Sequence, residues 1–135
     1  MKNLNREYLI SFIKESVKFG IVGVLNTLVT LAVIFLLSKV FHFYYLLANW
    51  VGYIFGFTNS FIFNKLWTFK SKGDFRREAF FFVLIFIICY IIQAIFLVFF
   101  KESLKISADL SQILSMIIYT ICGFLGNKIF TFRKI

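Results

Sequence analysis

Two seven-residue blocks hold the densest chemistry in this sequence. Asn64-Lys65-Leu66-Trp67-Thr68-Phe69-Lys70 recurs 63 residues later as Asn127-Lys128-Ile129-Phe130-Thr131-Phe132-Arg133. An ammonium beside a primary amide is an anion-binding pair: Lys65 and Lys128 supply charge, and Asn64 and Asn127 can donate amide hydrogens. Arg76 and Arg77 stand just before one long apolar stretch, and Lys14 and Lys18 before another. If those stretches are helices, their unpaired N–H groups and dipoles favour an anion at the same places. Phosphate binding at the level of lipid headgroups is the chemistry these residues share. Arg77, Lys65 and Lys128 should lie near one depth, between the start of the third apolar stretch and the two blocks. The competing reading of each cation is that it only enforces topology and touches bulk anionic lipid. Trp67, Phe69, Phe130 and Phe132 read as interface anchors before they read as a platform for a sugar.

A second set of polar residues recurs along the apolar stretches. Asn49, Gly52, Gly56 and Asn59 follow a 3-4-3 spacing, one face of a helix, and Gln112, Ser115, Tyr119 and Cys122 repeat it. Gly20, Gly23, Thr27 and Thr30 share that spacing, while the third stretch keeps Tyr90 and Gln93. Small residues let helices approach, and Gly52-x-x-x-Gly56 fits that use. Asn26, Thr30, Asn49, Asn59, Gln93 and Gln112 also fit a polar track for a headgroup, and the sequence leaves both readings open. Acid–base catalysis lacks its groups. His42 is the one histidine and lies in a short loop, and the uncharged stretches hold no carboxylate. Neither a metal cluster nor a cofactor site is expected, and the chain does not read as an enzyme. A proton-coupled exporter would place an ionisable residue in the membrane, which counts against that class. Cys89 and Cys122 read as small apolar residues at different depths.

The elements that must position these groups follow from the charges. Of 135 residues 61% are apolar and 21 are Phe, more than one small soluble domain can bury. Charged residues divide the chain into four uncharged stretches of about the 20 residues needed to cross a bilayer. They predict a single all-α membrane domain over 1–135, with spans near 19–38, 45–64, 79–100 and 110–127. Four strands could not close a barrel, and proline is absent. Residues 4–17 predict an interfacial helix or a cytoplasmic extension of the first span. Twelve of the 15 Lys and Arg fall in the N-terminal segment, the middle loop and the tail. The positive-inside rule then puts both termini and the middle loop in the cytoplasm. The net charge of +9 reads as headgroup contact, not nucleic-acid binding. The first stretch is too long, and lacks the cleavage site, for a signal peptide. The 63-residue offset also aligns Phe12, Glu15 and Phe19 with Phe75, Glu78 and Phe82, and Lys14 with Arg77. Each unit being two helices, the repeat is parallel.

Lys18-Phe19-x-x-Val22-Gly23-x-x-Asn26-Thr27, the doubled Asn-Lys-x-aromatic-Thr-Phe block and Arg77-x-x-x-Phe81 resemble the GtrA family over about residues 14–134. The resemblance implies a four-helix protein of the bacterial cytoplasmic membrane that moves a polyprenyl-phosphate-linked sugar (undecaprenyl phosphate being the expected carrier). It would feed glycosylation of an envelope polysaccharide such as teichoic acid or O-antigen. Because GtrA-like regions are also fused to polyprenyl-phosphate glycosyltransferases, it equally implies a membrane anchor or scaffold for such an enzyme. A glycosyltransferase is then the expected partner. The small interior predicts a homo-oligomer, most simply a dimer. One departure from the pattern is that the third span opens Phe80-Phe81-Phe82-Val83, without the glycines that the first span has as Gly20 and Gly23.

Overall fold

The computed structural model describes residues 2–133, apart from the side chains of Lys2 and Tyr45. Lys134, counted among the cations of the tail, lies outside the described residues, as does the Lys2 side chain. Four helices make up the chain: α1 (Lys2–Phe35), α2 (Tyr45–Phe63), α3 (Phe75–Val98) and α4 (Ala108–Gly126). Each ends in one wider, π-type turn: Leu36–Val40, Asn64–Thr68, Phe99–Ser103 and Asn127–Thr131. Among the described residues there is no strand. All four helices, with their final turns, are long and apolar enough to cross a membrane.

The helices run further than the uncharged stretches. Lys39, Lys65, Lys101 and Lys128 all sit inside the final turns. A lysine stem follows apolar surface while its ammonium reaches water, so the charge does not end the helix. What ends three of them is the backbone, since His42, Lys70 and Lys105 take positive φ of 55°, 47° and 54°. This left-handed step releases the chain from the helix where glycine more often serves. At the other ends, Asp74 accepts a hydrogen bond from the Arg77 backbone N–H at 2.9 Å, and Ser107 Oγ accepts one from Leu110 at 3.4 Å. α1 is one unbroken helix of 34 residues, about 51 Å long, so residues 4–17 continue the first span without a break.

The chain divides into two compact units, residues 1–70 and 71–135. In the first, α1 lies along α2. Ala48 and Val22 are fully buried, with Phe61 and Phe69 beside them in the core. Gly52 and Gly56 bring the two backbones together. A Cβ at Gly52 would stand 3.0 Å from the Thr30 carbonyl oxygen, and one at Gly56 would meet Thr30 Oγ1 and lie 3.2 Å from the Asn26 carbonyl oxygen. In the second unit α3 lies along α4, with Ile85, Ser111, Phe124 and Phe132 buried. Gly126 admits the Ile85 side chain, whose Cγ2 would lie 2.9 Å from an added Cβ. Buried positions in one unit match buried positions 63 residues on: Val22 and Ile85, Ala48 and Ser111, Phe61 and Phe124, Phe69 and Phe132. Most other large apolar side chains are exposed. In lipid that costs little, because helices there associate through close packing, with little hydrophobic gain between them.

Candidate lipid-headgroup site

Each unit gathers its chemistry at the end where the Asn-Lys block closes the hairpin. The block is the final turn of α2 or α4, a position that directs Asn and Thr, four residues apart, to one face. That face packs on the neighbouring helix. Asn64 and Thr68 are 1% and 3% exposed, and Asn127 and Thr131 are 5% and 0%. Phe69 and Phe132 close the block from beyond, with ring centroids 6.3 Å from Phe19 and 6.1 Å from Phe82. These two phenylalanines were expected among the interface anchors. Their burial, at 2% and 1% exposure, makes them core residues, because the end of the final turn carries each ring to the inner face against Phe19 or Phe82. Trp67 and Phe130 remain on the surface, where an anchor has to be.

The two blocks differ in their hydrogen bonds. In the second unit, Asn127 Nδ2 donates to the Gly123 carbonyl at 2.8 Å, and Thr131 Oγ1 donates to Asn127 Oδ1 at 2.8 Å. In the first, Asn64 Nδ2 donates to Ser60 Oγ at 3.3 Å. Asn64 Oδ1 and Thr68 Oγ1, both buried, have no partner among the described residues.

A cation caps the carbonyl end of each block. Lys18 Nζ donates to the Trp67 carbonyl at 3.4 Å and stands 5.2 Å from the Trp67 ring centroid. The Arg77 guanidinium donates to the carbonyls of Phe130 at 3.2 Å and Thr131 at 3.5 Å, and lies 4.9 Å over Phe81. The last carbonyls of a helix carry partial negative charge, so a cation belongs there on structural grounds alone. Arg77, singled out from the sequence as an anion ligand, thus also has a structural partner. Lys14 and Arg76 are exposed, and Lys65 and Lys128 are half-buried.

Higher in the first unit, Asn59 Nδ2 donates to Asn26 Oδ1 at 2.7 Å, joining α1 and α2 through two members of the expected polar track. Thr30 and Asn49 are half-buried in the same unit. The glycines beside them are packing residues, as the contacts of Gly52 and Gly56 require. In the second unit Gln93 is half-buried and Gln112 exposed, and the positions matching Asn26 and Asn59 are Cys89 and Cys122, both free thiols.

Two carboxylates escaped the sequence reading. Glu15 and Glu78 are 5% and 1% exposed, inside helices long enough to cross the membrane. Glu78 accepts a hydrogen bond from Ser71 Oγ. Both carboxylates lie outside the expected spans 19–38 and 79–100, among charged neighbours. Their recurrence at the offset of the blocks was the available signal, and it served only to fix the register of the repeat. Among the described residues no three His, Cys, Asp or Glu side chains are grouped to hold a metal ion.

No curated protein matches the chain. The family model described as GtrA/DPMS, transmembrane domain, matches residues 18–132. That interval begins at the cation over Trp67 and ends at the phenylalanine closing the second block. The chain belongs to the GtrA/DPMS transmembrane-domain family.

Proposed function

We propose that this protein moves a polyprenyl-phosphate-linked sugar across the bacterial cytoplasmic membrane for glycosylation of an envelope polysaccharide. The observation that carries this reading is the pairing, at each block end, of buried Asn and Thr side chains with a surface cation on the adjoining carbonyls. Within the first unit Lys14, Lys18 and Lys65, beside Asn64, are the cations for a phosphate at headgroup level, and within the second the matching groups are Arg76, Arg77 and Lys128, beside Asn127. The half-buried amides Asn26, Asn49 and Asn59 and the hydroxyl of Thr30 extend polar surface from the first block along the hairpin. The four helices form two parallel two-helix repeats, with both termini and the middle loop cytoplasmic, and the protein works as a homo-oligomer beside a glycosyltransferase.

Reconstitution tests the transport reading. The purified protein alone should accelerate transbilayer movement of a polyprenyl-phosphate hexose in liposomes. An anchor for a glycosyltransferase, the reading that a shared transmembrane domain also supports, would leave the rate at that of empty vesicles. Cysteines placed at Ser71 and Ser107 should label from opposite sides, and labelling from one side would overturn the topology and the parallel repeat together. A mass measurement in nanodiscs showing only monomers would reject the oligomer.

A further inference from the structure

We infer that the two blocks divide the labour, so that the first binds the sugar of the lipid-linked substrate while the second is a structural clasp. The inference rests on the proposed function and adds which copy binds, through which atoms, and to what.

Asn64 and Thr68 match Asn127 and Thr131 in residue type, spacing and burial, yet only the second pair is closed by a hydrogen bond. Ser60 separates them. The residue four before Asn127 is Gly123, whose bare carbonyl takes the Asn127 amide and leaves Oδ1 facing Thr131. In the first unit the Ser60 hydroxyl takes the Asn64 amide instead, and the Thr68 hydroxyl is left without a partner. Buried polar atoms without partners destabilise a fold, and a valine at 68 would remove one at no cost in shape. A ligand hydroxyl bonded to Thr68 Oγ1 and Asn64 Oδ1 would remove that cost.

The chemistry of the open atoms selects the ligand. Asn64 Oδ1 accepts only, and Thr68 Oγ1 both donates and accepts. An ionised phosphodiester offers acceptors alone, so it cannot satisfy Asn64 Oδ1. A sugar hydroxyl can serve both atoms. Lys18 supplies the charge for the adjoining phosphate, because the carbonyl its Nζ touches belongs to the peptide that joins Trp67 to Thr68. The rest of the unit agrees in character. Gly23, Asn26, Gly56 and Asn59 of the first hairpin are small or carry amides, whereas Phe86, Cys89, Tyr119 and Cys122 at the matching places are aromatic or thiol. Phe86 and Tyr119 fill that space edge to face, with centroids 6.3 Å apart.

The test compares Thr68→Val with Thr131→Val in the full chain in nanodiscs, reading melting temperature and binding of two probes. One probe is a short-chain polyprenyl phosphate carrying one hexose, and the other is the same lipid without the sugar. Thr68→Val should weaken the glycosylated probe about tenfold, a typical share for a lost buried hydrogen bond, while the bare lipid changes less than about twofold and melting is unchanged or raised. Thr131→Val should lower melting by about 3–4 °C and leave both affinities at wild-type values below the transition. Wild-type affinity for the glycosylated probe in Thr68→Val, equal loss for both probes, or a binding defect in Thr131→Val without loss of stability would each overturn the division of labour. A wild-type protein that binds neither lipid would overturn the proposed function itself, and this inference with it.

Discussion

The two hairpins carry nearly the same block, and they spend its polar groups differently. In the second unit Asn127 bonds to the Gly123 carbonyl and Thr131 to Asn127, and Phe86 against Tyr119 fills the level above. The first leaves two buried oxygens open, joins its helices through Asn26 and Asn59, and keeps glycine where the second has aromatic rings. One hairpin is built for packing and the other retains unsatisfied polarity. On the inference above, the recurring block supplies a scaffold in one unit and a site in the other, because Ser60 in place of Gly123 redirects the amide.

Glycine replacement should have the largest effect on this contrast. Gly56→Leu forces a side chain against Thr30 and the Asn26 carbonyl, and should destabilise the first hairpin by about 3 kcal/mol, the upper range for overpacking. Tyr119→Phe at the matching place keeps the ring against Phe86 and should cost about 1.5 kcal/mol or less. Equal losses, read from thermal unfolding in micelles, would show that the first hairpin is no more closely packed than the second.

The capping cations come next. Arg77→Ala removes two contacts to block carbonyls and the stack on Phe81, and should cost about 1–2 kcal/mol. Arg77→Lys should recover part of this, since an ammonium restores the charge without the fork. Lys18→Ala loses one long contact and a more distant ring, and should cost about 0.5 kcal/mol. Its binding defect toward a polyprenyl phosphate should nevertheless exceed that of Arg77→Ala, if the first block is the site. The reverse order in a lipid-binding titration would move the site to the second unit.

At hairpin mid-height, a double-mutant cycle of Asn26→Ala and Asn59→Ala should give a coupling of about 0.6 kcal/mol, typical of interhelical hydrogen bonds in membranes. Cys89→Ala with Cys122→Ala should give a coupling near zero. The smallest stability effect should come from Ser60→Ala, within about 0.5 kcal/mol of wild type. It frees the Asn64 amide for the backbone carbonyl and allows Thr68 to close on it, as Thr131 does on Asn127. Binding of the glycosylated lipid should fall although stability does not. Unchanged binding would show that Ser60 does not hold the pair open.

The site was legible in part. The doubled block marked Asn64, Lys65, Asn127 and Lys128 because a seven-residue recurrence stands out even in a Phe-rich chain. Thr68 and Thr131 of the same block are not marked by the sequence, because threonine carries no charge and its burial is a property of the turn. Phe69 and Phe132 were assigned to the interface for a related reason. Aromatic residues next to lysine fit a headgroup belt, and only the direction of the final turn sends them inward. Glu15 and Glu78 lie among charged neighbours, where a carboxylate reads as solvated, and their burial follows from the packing of the hairpin.

The number of helices, and that each is long enough to cross a bilayer, were determined by the sequence alone. Transfer of a residue into hydrocarbon is a local and nearly additive quantity, so runs of uncharged residues between lysines are sufficient to count spans. The ends were less determined, because a lysine can snorkel from inside a final turn and the chain signals its stops with neither proline nor a left-handed glycine. Which of two matching polar pairs is satisfied was decided only by the tertiary structure. A hydrogen bond forms between particular atoms within about 3 Å. Whether Asn64 meets Thr68 therefore depends on where Ser60 turns its hydroxyl, and composition and spacing do not record that.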